Sequence, residues 1–149
     1  MALGVTACTA EIHEGFVVDD KSKTFFHGHS FTANPISCTA ALASLEIFEK
    51  EHTLENVERI NRMHLKFSER VREVPDVENV RVCGTVIAFE LKDDVDGYTS
   101  SVRDRITSKA LQEGVYLRPL GNTVYVMPPY CVSDFELDKI YQTIIKVIT

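Results

Sequence analysis

Two short stretches hold most of the residues able to do chemistry. The first, "FFHGHSFTANP" at residues 25–35, contains two histidines, a serine and a threonine within six positions, and no acidic residue. Gly28 frees the backbone, and the hydroxyls of Ser30 and Thr32 stand just ahead of a helix expected to start after Asn34. A helix N-terminus carries unpaired N–H groups and partial positive charge, so hydroxyls in front of it suit a phosphate clamp. The plainer alternative is a turn that caps its own helix.

The second stretch is "LRPLGNTVYVMPPY", residues 117–130. Arg118 ends a short apolar run before Pro119 and presents a planar fork that matches a carboxylate bidentately. Tyr125 and Tyr130 stand close enough in sequence to line an apolar slot, and "MPP" makes a stiff extended exit. Against this stands the reading of Arg118 as a surface residue beside a hairpin.

Metal chemistry has less support. His27 and His29 are two apart, a spacing that chelates from a strand, but no third ligand accompanies them. Glu11, His13 and Glu14 of "EIHE" lack the second histidine of an H-E-x-x-H pattern, so no metal site is expected. His52 and His64 fall on helical segments, where surface or partly packed positions are expected.

Local signals place these residues on elements. Leu3 to Cys8 reads as a short strand and Thr9 as the cap of a brief helix through Phe16. The polar residues 17–24 read as a turn. Asn34 as N-cap and Pro35 at the first helical position start a helix to about Lys50, with Ile36, Ala40, Leu45 and Phe48 on its inward side. A second helix runs from about Leu54 to Val74 on the stripe Leu54, Val57, Ile60, Met63 or His64, Phe67 and Val71, stopped by Pro75. "VRVCGTVIAFEL", 80–91, reads as strand around a turn or bulge at Gly84. A helix from about Tyr98 to Glu113 with Val102, Ile106 and Ala110 inward ends at Gly114. "VYLRPLG" and "TVYVMPP" read as two strands about the turn "LGNT". Ser133 caps a last helix with Leu137, Ile140, Tyr141, Ile144 and Ile148 on one face. Residues 80–149 thus form an α/β lobe with a mainly antiparallel sheet, and residues 1–50 read as a piece of a different lobe.

Composition narrows the function classes. A net charge of −6 without a basic run argues against nucleic acid and anionic membrane as partners. No segment approaches the length of a membrane span, and no signal peptide is expected. The acidic cluster "KDDVDG" at 92–97 reads as a solvated turn. Cysteines at 8, 38, 83 and 131 form no C-x-x-C pair, and three sit in apolar segments as small hydrophobes, which implies a reducing, cytoplasmic setting.

Taken together, "FFHGHSFTANPISCTAALASLEIFE" and "GVYLRPLGNTVYVMPPYCVSDFELDKI" resemble the C-terminal part of class III (subgroup II) aminotransferases, and the resemblance spans nearly the whole chain. It implies part of a pyridoxal-phosphate (PLP)-dependent fold type I transferase: residues 1–50 as the end of the large cofactor domain and 51–149 as the small C-terminal α/β domain. It implies PLP as cofactor, small-molecule substrates and a homodimeric parent. By resemblance Ser30, with His29 beside it, meets the phosphate of the partner subunit's cofactor, Gly28 lies beside the substrate, Arg118 takes the substrate carboxylate and Tyr125 shapes that pocket. His29 departs from the proline or serine usual in that loop. The motif "RPLGNTVYVMPPY" is similar, more narrowly, to the biotin-biosynthesis members, which move an amino group from S-adenosylmethionine to 8-amino-7-oxononanoate. The alternatives are an ornithine, acetylornithine or 4-aminobutyrate type of ω-aminotransferase, and a non-catalytic ligand-binding module. The resemblance implies that the family's cofactor-bonding lysine lies upstream of Met1; Lys21 and Lys23, in a polar turn, are not expected to substitute for it, so these residues alone are expected to be inactive.

Overall fold

The structure, a computed structural model, describes residues 3–92 and 102–149. Residues 93–97 of the acidic turn expected at 92–97, and the start of the helix expected from Tyr98, lie outside the described residues. The chain divides into two compact units, Met1–Glu51 and His52–Thr149.

In the first unit, local capping signals are realised and burial is not. Thr9 Oγ1 accepts from the Ile12 N–H at 3.4 Å and starts α1, Ala10–Glu14. Asp20 accepts from both the Ser22 hydroxyl and its backbone N–H, which holds its carboxyl below the usual range and starts a 3-10 turn over Lys21–Lys23. Asn34 Oδ1 accepts from the N–H groups of Ile36 and Ser37 at 3.1 and 3.2 Å, and Pro35 opens α2, Pro35–Lys50. Two expectations fail here. Leu3 to Cys8 forms no strand: no ladder partner lies beside it among the described residues, and Val5 is 86% exposed. The apolar side expected of α2 is not inward, since Ile36 and Leu45 are 66% and 63% exposed and Ala40 and Phe48 are exposed as well. Ser37 is the one buried residue among those described in this unit.

The second unit has its own core. Helix α3, Thr53–Arg72, buries Ile60, Phe67 and Val71 on one stripe, while Leu54 at its start is exposed. A hairpin follows. Strand β1, Val77–Cys83, turns at Gly84 with φ +54°, the left-handed region glycine favours, into β2, Val86–Leu91. The hairpin begins earlier than the Val80 expected and carries a bulge between Glu78 and Arg81, where Asn79 takes φ 51°. Helix α4, Val102–Gln112, turns Val102, Ile106 and Ala110 inward as expected and ends before Gly114, at φ 74°. Strand β3, Thr123–Val126, lies antiparallel to β2 with Val124 opposite Phe89 and Val126 opposite Ile87. Helix α5, Asp134–Ile148, closes the unit behind a capping box: the Glu136 N–H donates to Ser133 Oγ, and the Ser133 N–H donates to Glu136 Oε2.

Among the described residues the sheet is antiparallel in the order β1-β2-β3. Helix α3 packs on β1 and β2, and α4 packs on α5. Phe67, Ile87, Phe89, Ile106, Leu137 and Ile144 are fully buried between them. Each such side chain contributes roughly 1.5–3 kcal/mol by leaving water.

Three further expectations are corrected. Residues 115–119 are not a strand, since Pro119 has no N–H to donate and no ladder partner is present among the described residues. His64 is not at the surface but fully buried. The cysteines are free but not buried hydrophobes: Cys8, Cys83 and Cys131 are exposed and Cys38 is half-buried. No helix among the described residues is long and apolar enough to cross a membrane.

Candidate functional site

The second unit assembles the Arg118 site from its chain path. After Gly114 the segment 115–119 runs with alternating burial: Val115, Leu117 and Pro119 point in, Tyr116 and Arg118 point out. Thr107 Oγ1 donates to the Leu117 carbonyl at 2.9 Å, tying the segment to α4. Leu120 and Thr123 then exchange backbone hydrogen bonds of 2.9 and 3.0 Å around Gly121 at φ 61°, reversing the chain into β3. That reversal is held to β2 by the Leu91 N–H, which donates to the Asn122 carbonyl at 3.0 Å.

The reversal brings Arg118 and Tyr125 to one pocket of about 360 Å³. Its walls are apolar, with Val115, Leu117, Val126, Pro128, Val132 and Ile140 around Tyr116 and Met127. No acidic residue lines it. The Arg118 guanidinium is exposed and has no ion pair among the described residues. A lone cation at an apolar pocket fits a ligand with one anionic end and an apolar body. Tyr130, expected to line this slot, does not, and Tyr116 does. The signal for Tyr116 was its place two residues before Arg118, on the same side of an extended segment.

The first unit holds the other expected residues. Gly28 is exposed, does not take the left-handed conformation, and has open space where a Cβ would stand. The left-handed residue of this loop is Ala33, at φ 54°. Thr32 Oγ1 accepts from the His29 N–H at 3.1 Å, and His29 Nδ1 accepts from the Phe31 N–H at 3.1 Å. The Thr32 N–H donates to the His29 carbonyl at 3.0 Å. The Ser30 hydroxyl is exposed at the apex and has no partner among the described residues. Since Asn34 occupies two N–H groups of α2, the free polar group for an anion is the Ser30 hydroxyl rather than the helix end. Among the described residues no three His, Cys, Asp or Glu gather around a point fit for a metal.

One buried polar chain was missed by sequence reasoning. His64 Nε2 lies 3.0 Å from the Thr85 carbonyl, and His64 Nδ1 lies 2.7 Å from the Tyr141 hydroxyl. A carbonyl only accepts, so Nε2 carries the proton and Nδ1 accepts from Tyr141. Burial pushes the His64 pKa down and, with Asp138 adding to it, pushes the Tyr141 phenol up. This chain ties α3 to the β1–β2 turn and to α5. The signal was position 64 itself, four after Ile60 and three before Phe67 on the buried stripe.

Comparison with known proteins decides the family. Residues 1–148 match the aminotransferase class-III family. The chain belongs to that family. It is 36% identical over 148 residues to the adenosylmethionine-8-amino-7-oxononanoate aminotransferase of Synechococcus elongatus, covering 99% of this chain and 34% of that protein. The crystal structure of the enzyme of the same name from Methanocaldococcus jannaschii matches with TM-score 0.84 at 33% identity, over 94% of this chain and 33% of the other. An ω-aminotransferase from Paracoccus denitrificans matches with TM-score 0.73 at 25% identity, over 85% of this chain and 29% of the other. The chain therefore spans about a third of the length of the relatives it matches. Its α/β fold with a small antiparallel sheet is part of the PLP-dependent transaminase fold, as the sequence led us to expect.

Proposed function

We propose that this chain is part of a biotin-pathway transaminase that moves an amino group from S-adenosylmethionine to 8-amino-7-oxononanoate, giving 7,8-diaminononanoate. The observation that carries the reading is the Arg118 pocket: a guanidinium with no ion pair among the described residues, and Tyr125, at one apolar pocket with no acidic group in its lining. The acceptor named is a carboxylate on an aliphatic chain, which is the shape such a pocket takes. The relatives bearing that activity in their names support the choice.

In this reading Arg118 holds the carboxylate through paired N–H donors, and Tyr125 sets the side of the pocket beside it. Met1–Glu51 belongs to the end of the large cofactor domain and His52–Thr149 to the small one. The residues of the 28–30 loop fit a phosphate: Ser30 offers an unengaged hydroxyl, and nothing acidic stands in 25–35. Ser30 would hold the PLP phosphate of a partner subunit in a homodimer, with Gly28 beside the substrate. When bound, PLP supplies an electron sink for the charge left at the amino-bearing carbon. The cofactor-bonding lysine that the family resemblance implies would lie in other parts of the whole protein; Lys21 and Lys23, exposed in a 3-10 turn, do not take that role in this reading.

The test is the full-length protein assayed with 8-amino-7-oxononanoate and a panel of donors. Activity with S-adenosylmethionine supports the reading. Activity only with ornithine, acetylornithine or 4-aminobutyrate moves it to the ω-aminotransferase alternative, which the Paracoccus likeness favours. No transamination with any donor favours a binding module. Arg118→Ala should raise KM for the carboxylate substrate roughly 10- to 100-fold, the loss expected for a charged hydrogen-bonded pair, while the KM of a decarboxylated analogue stays unchanged.

A further inference from the structure

The loop that presents Ser30 is closed by the residue beside it. His29 uses both its backbone and its ring: its N–H donates to Thr32 Oγ1, its carbonyl accepts from the Thr32 N–H, and its Nδ1 accepts from the Phe31 N–H. The three bonds of 3.1, 3.0 and 3.1 Å bracket Ser30 on either side. The His29 and Phe31 rings also meet, at 6.3 Å between centroids. Among the described residues the Ser30 hydroxyl has no hydrogen-bond partner, and Gly28, two residues before it, has open space where a Cβ would stand. The loop therefore has no source of order at Ser30 other than its neighbours, chiefly His29 and Thr32.

We infer that His29 is a positioning residue for phosphate recognition: its imidazole, by accepting the Phe31 N–H, holds the Ser30 hydroxyl where a phosphate ester can take it. This rests on the reading that Ser30 meets the PLP phosphate. The ring acts through a lone pair on Nδ1, which an asparagine Oδ1 can replace at the same separation of two residues. An alanine cannot.

The experiment measures PLP and pyridoxal binding to the full-length protein by absorbance titration, for wild type, Ser30→Ala, His29→Ala and His29→Asn. Pyridoxal lacks the phosphate, so the ratio of the two affinities isolates the phosphate site from general damage to the fold. His29→Ala should lower that ratio roughly three- to tenfold, as expected for one neutral hydrogen bond, and His29→Asn should restore it. The phosphorus NMR shift of bound PLP should move in His29→Ala and return in His29→Asn. If Ser30→Ala lowers the ratio and His29→Ala does not, the positioning role is overturned and the phosphate reading survives. If Ser30→Ala leaves the ratio unchanged, the phosphate reading falls first. Equal loss of PLP and pyridoxal affinity in His29→Ala also overturns the inference, because that pattern marks a purely structural role.

Discussion

The two units treat apolar residues in opposite ways. Every buried apolar side chain among the described residues lies between Ile60 and Val147, in the second unit. The first unit exposes Phe26 at 84%, Phe31 at 73% and Leu45 at 63%. Yet each unit starts a long helix with a side-chain cap, Asn34 before α2 and Ser133 before α5. Capping needs only a few neighbouring residues, while burial needs a partner surface. The candidate chemistry follows the same division: Arg118 and Tyr125 stand on a backbone fixed over a core, and Ser30 stands on a loop fixed by its own hydrogen bonds.

The largest effect that would break this comparison is a core truncation. In the 149-residue chain, Phe89→Ala should cost about 3–5 kcal/mol, read from urea unfolding by a probe in the second unit. Leu45→Ala on α2 should change stability by no more than about 0.5 kcal/mol in the same chain. Comparable losses at both positions would show that Leu45 is coupled to a core and that the contrast is wrong.

An intermediate effect comes from the buried polar chain. Tyr141→Phe keeps the ring stacked on Phe67, at 4.2 Å between centroids, and removes the hydroxyl that His64 Nδ1 accepts from. An unsatisfied buried acceptor costs about 1–3 kcal/mol. The same chain gives the second unit an acid limb. Burial lowers the folded pKa of His64 below its ordinary 6.5, so the unfolded chain takes up a proton first as pH falls. Stability from the neutral His64 is full above pH 6.5 and is lost as pH falls from there through the folded pKa. Denaturant midpoints measured between pH 7.5 and 5 should fall in wild type and fall less in His64→Phe. A flat wild-type profile over that range would remove the burial assigned to His64.

How much of this was legible in the sequence depended on the range of the cause. Asn34 with Pro35, and Ser133 with Glu136, spell their caps within four residues, and both helices stand where those residues put them. Gly84 spelled the hairpin turn because a left-handed residue there suits glycine. The Arg118 pocket was half legible: Tyr125 was expected beside Arg118 and is there, but Tyr116 needed the alternation of the 115–119 segment to be followed. His64 was read as a surface or partly packed residue, with Met63 as its rival on the inward stripe, because only tertiary partners, Thr85 and Tyr141, satisfy its ring when it is buried. The inward side of α2 was read from periodicity, which names an apolar face without naming what covers it.

The smallest effect separates local from tertiary stabilisation most cleanly. Ser133→Ala and Asn34→Ala each remove a cap whose side chain accepts backbone N–H groups, so each weakens its own helix by about 1 kcal/mol. The readouts should differ. Helix α5 buries Leu137, Tyr141 and Ile144 in the core, so its fraying is coupled to unfolding of the whole second unit. Ser133→Ala should therefore lower the cooperative denaturant midpoint of that unit. Helix α2 buries none of its apolar residues, so losing Asn34 should melt its first turn without moving that midpoint. Amide exchange at Ile36, Ser37 and Cys38 should quicken several-fold in Asn34→Ala, while exchange at Phe89 and Val124 stays as in wild type. A shift of the cooperative midpoint in Asn34→Ala would mean that α2 is coupled to a core, and the two units would then differ in degree rather than in kind.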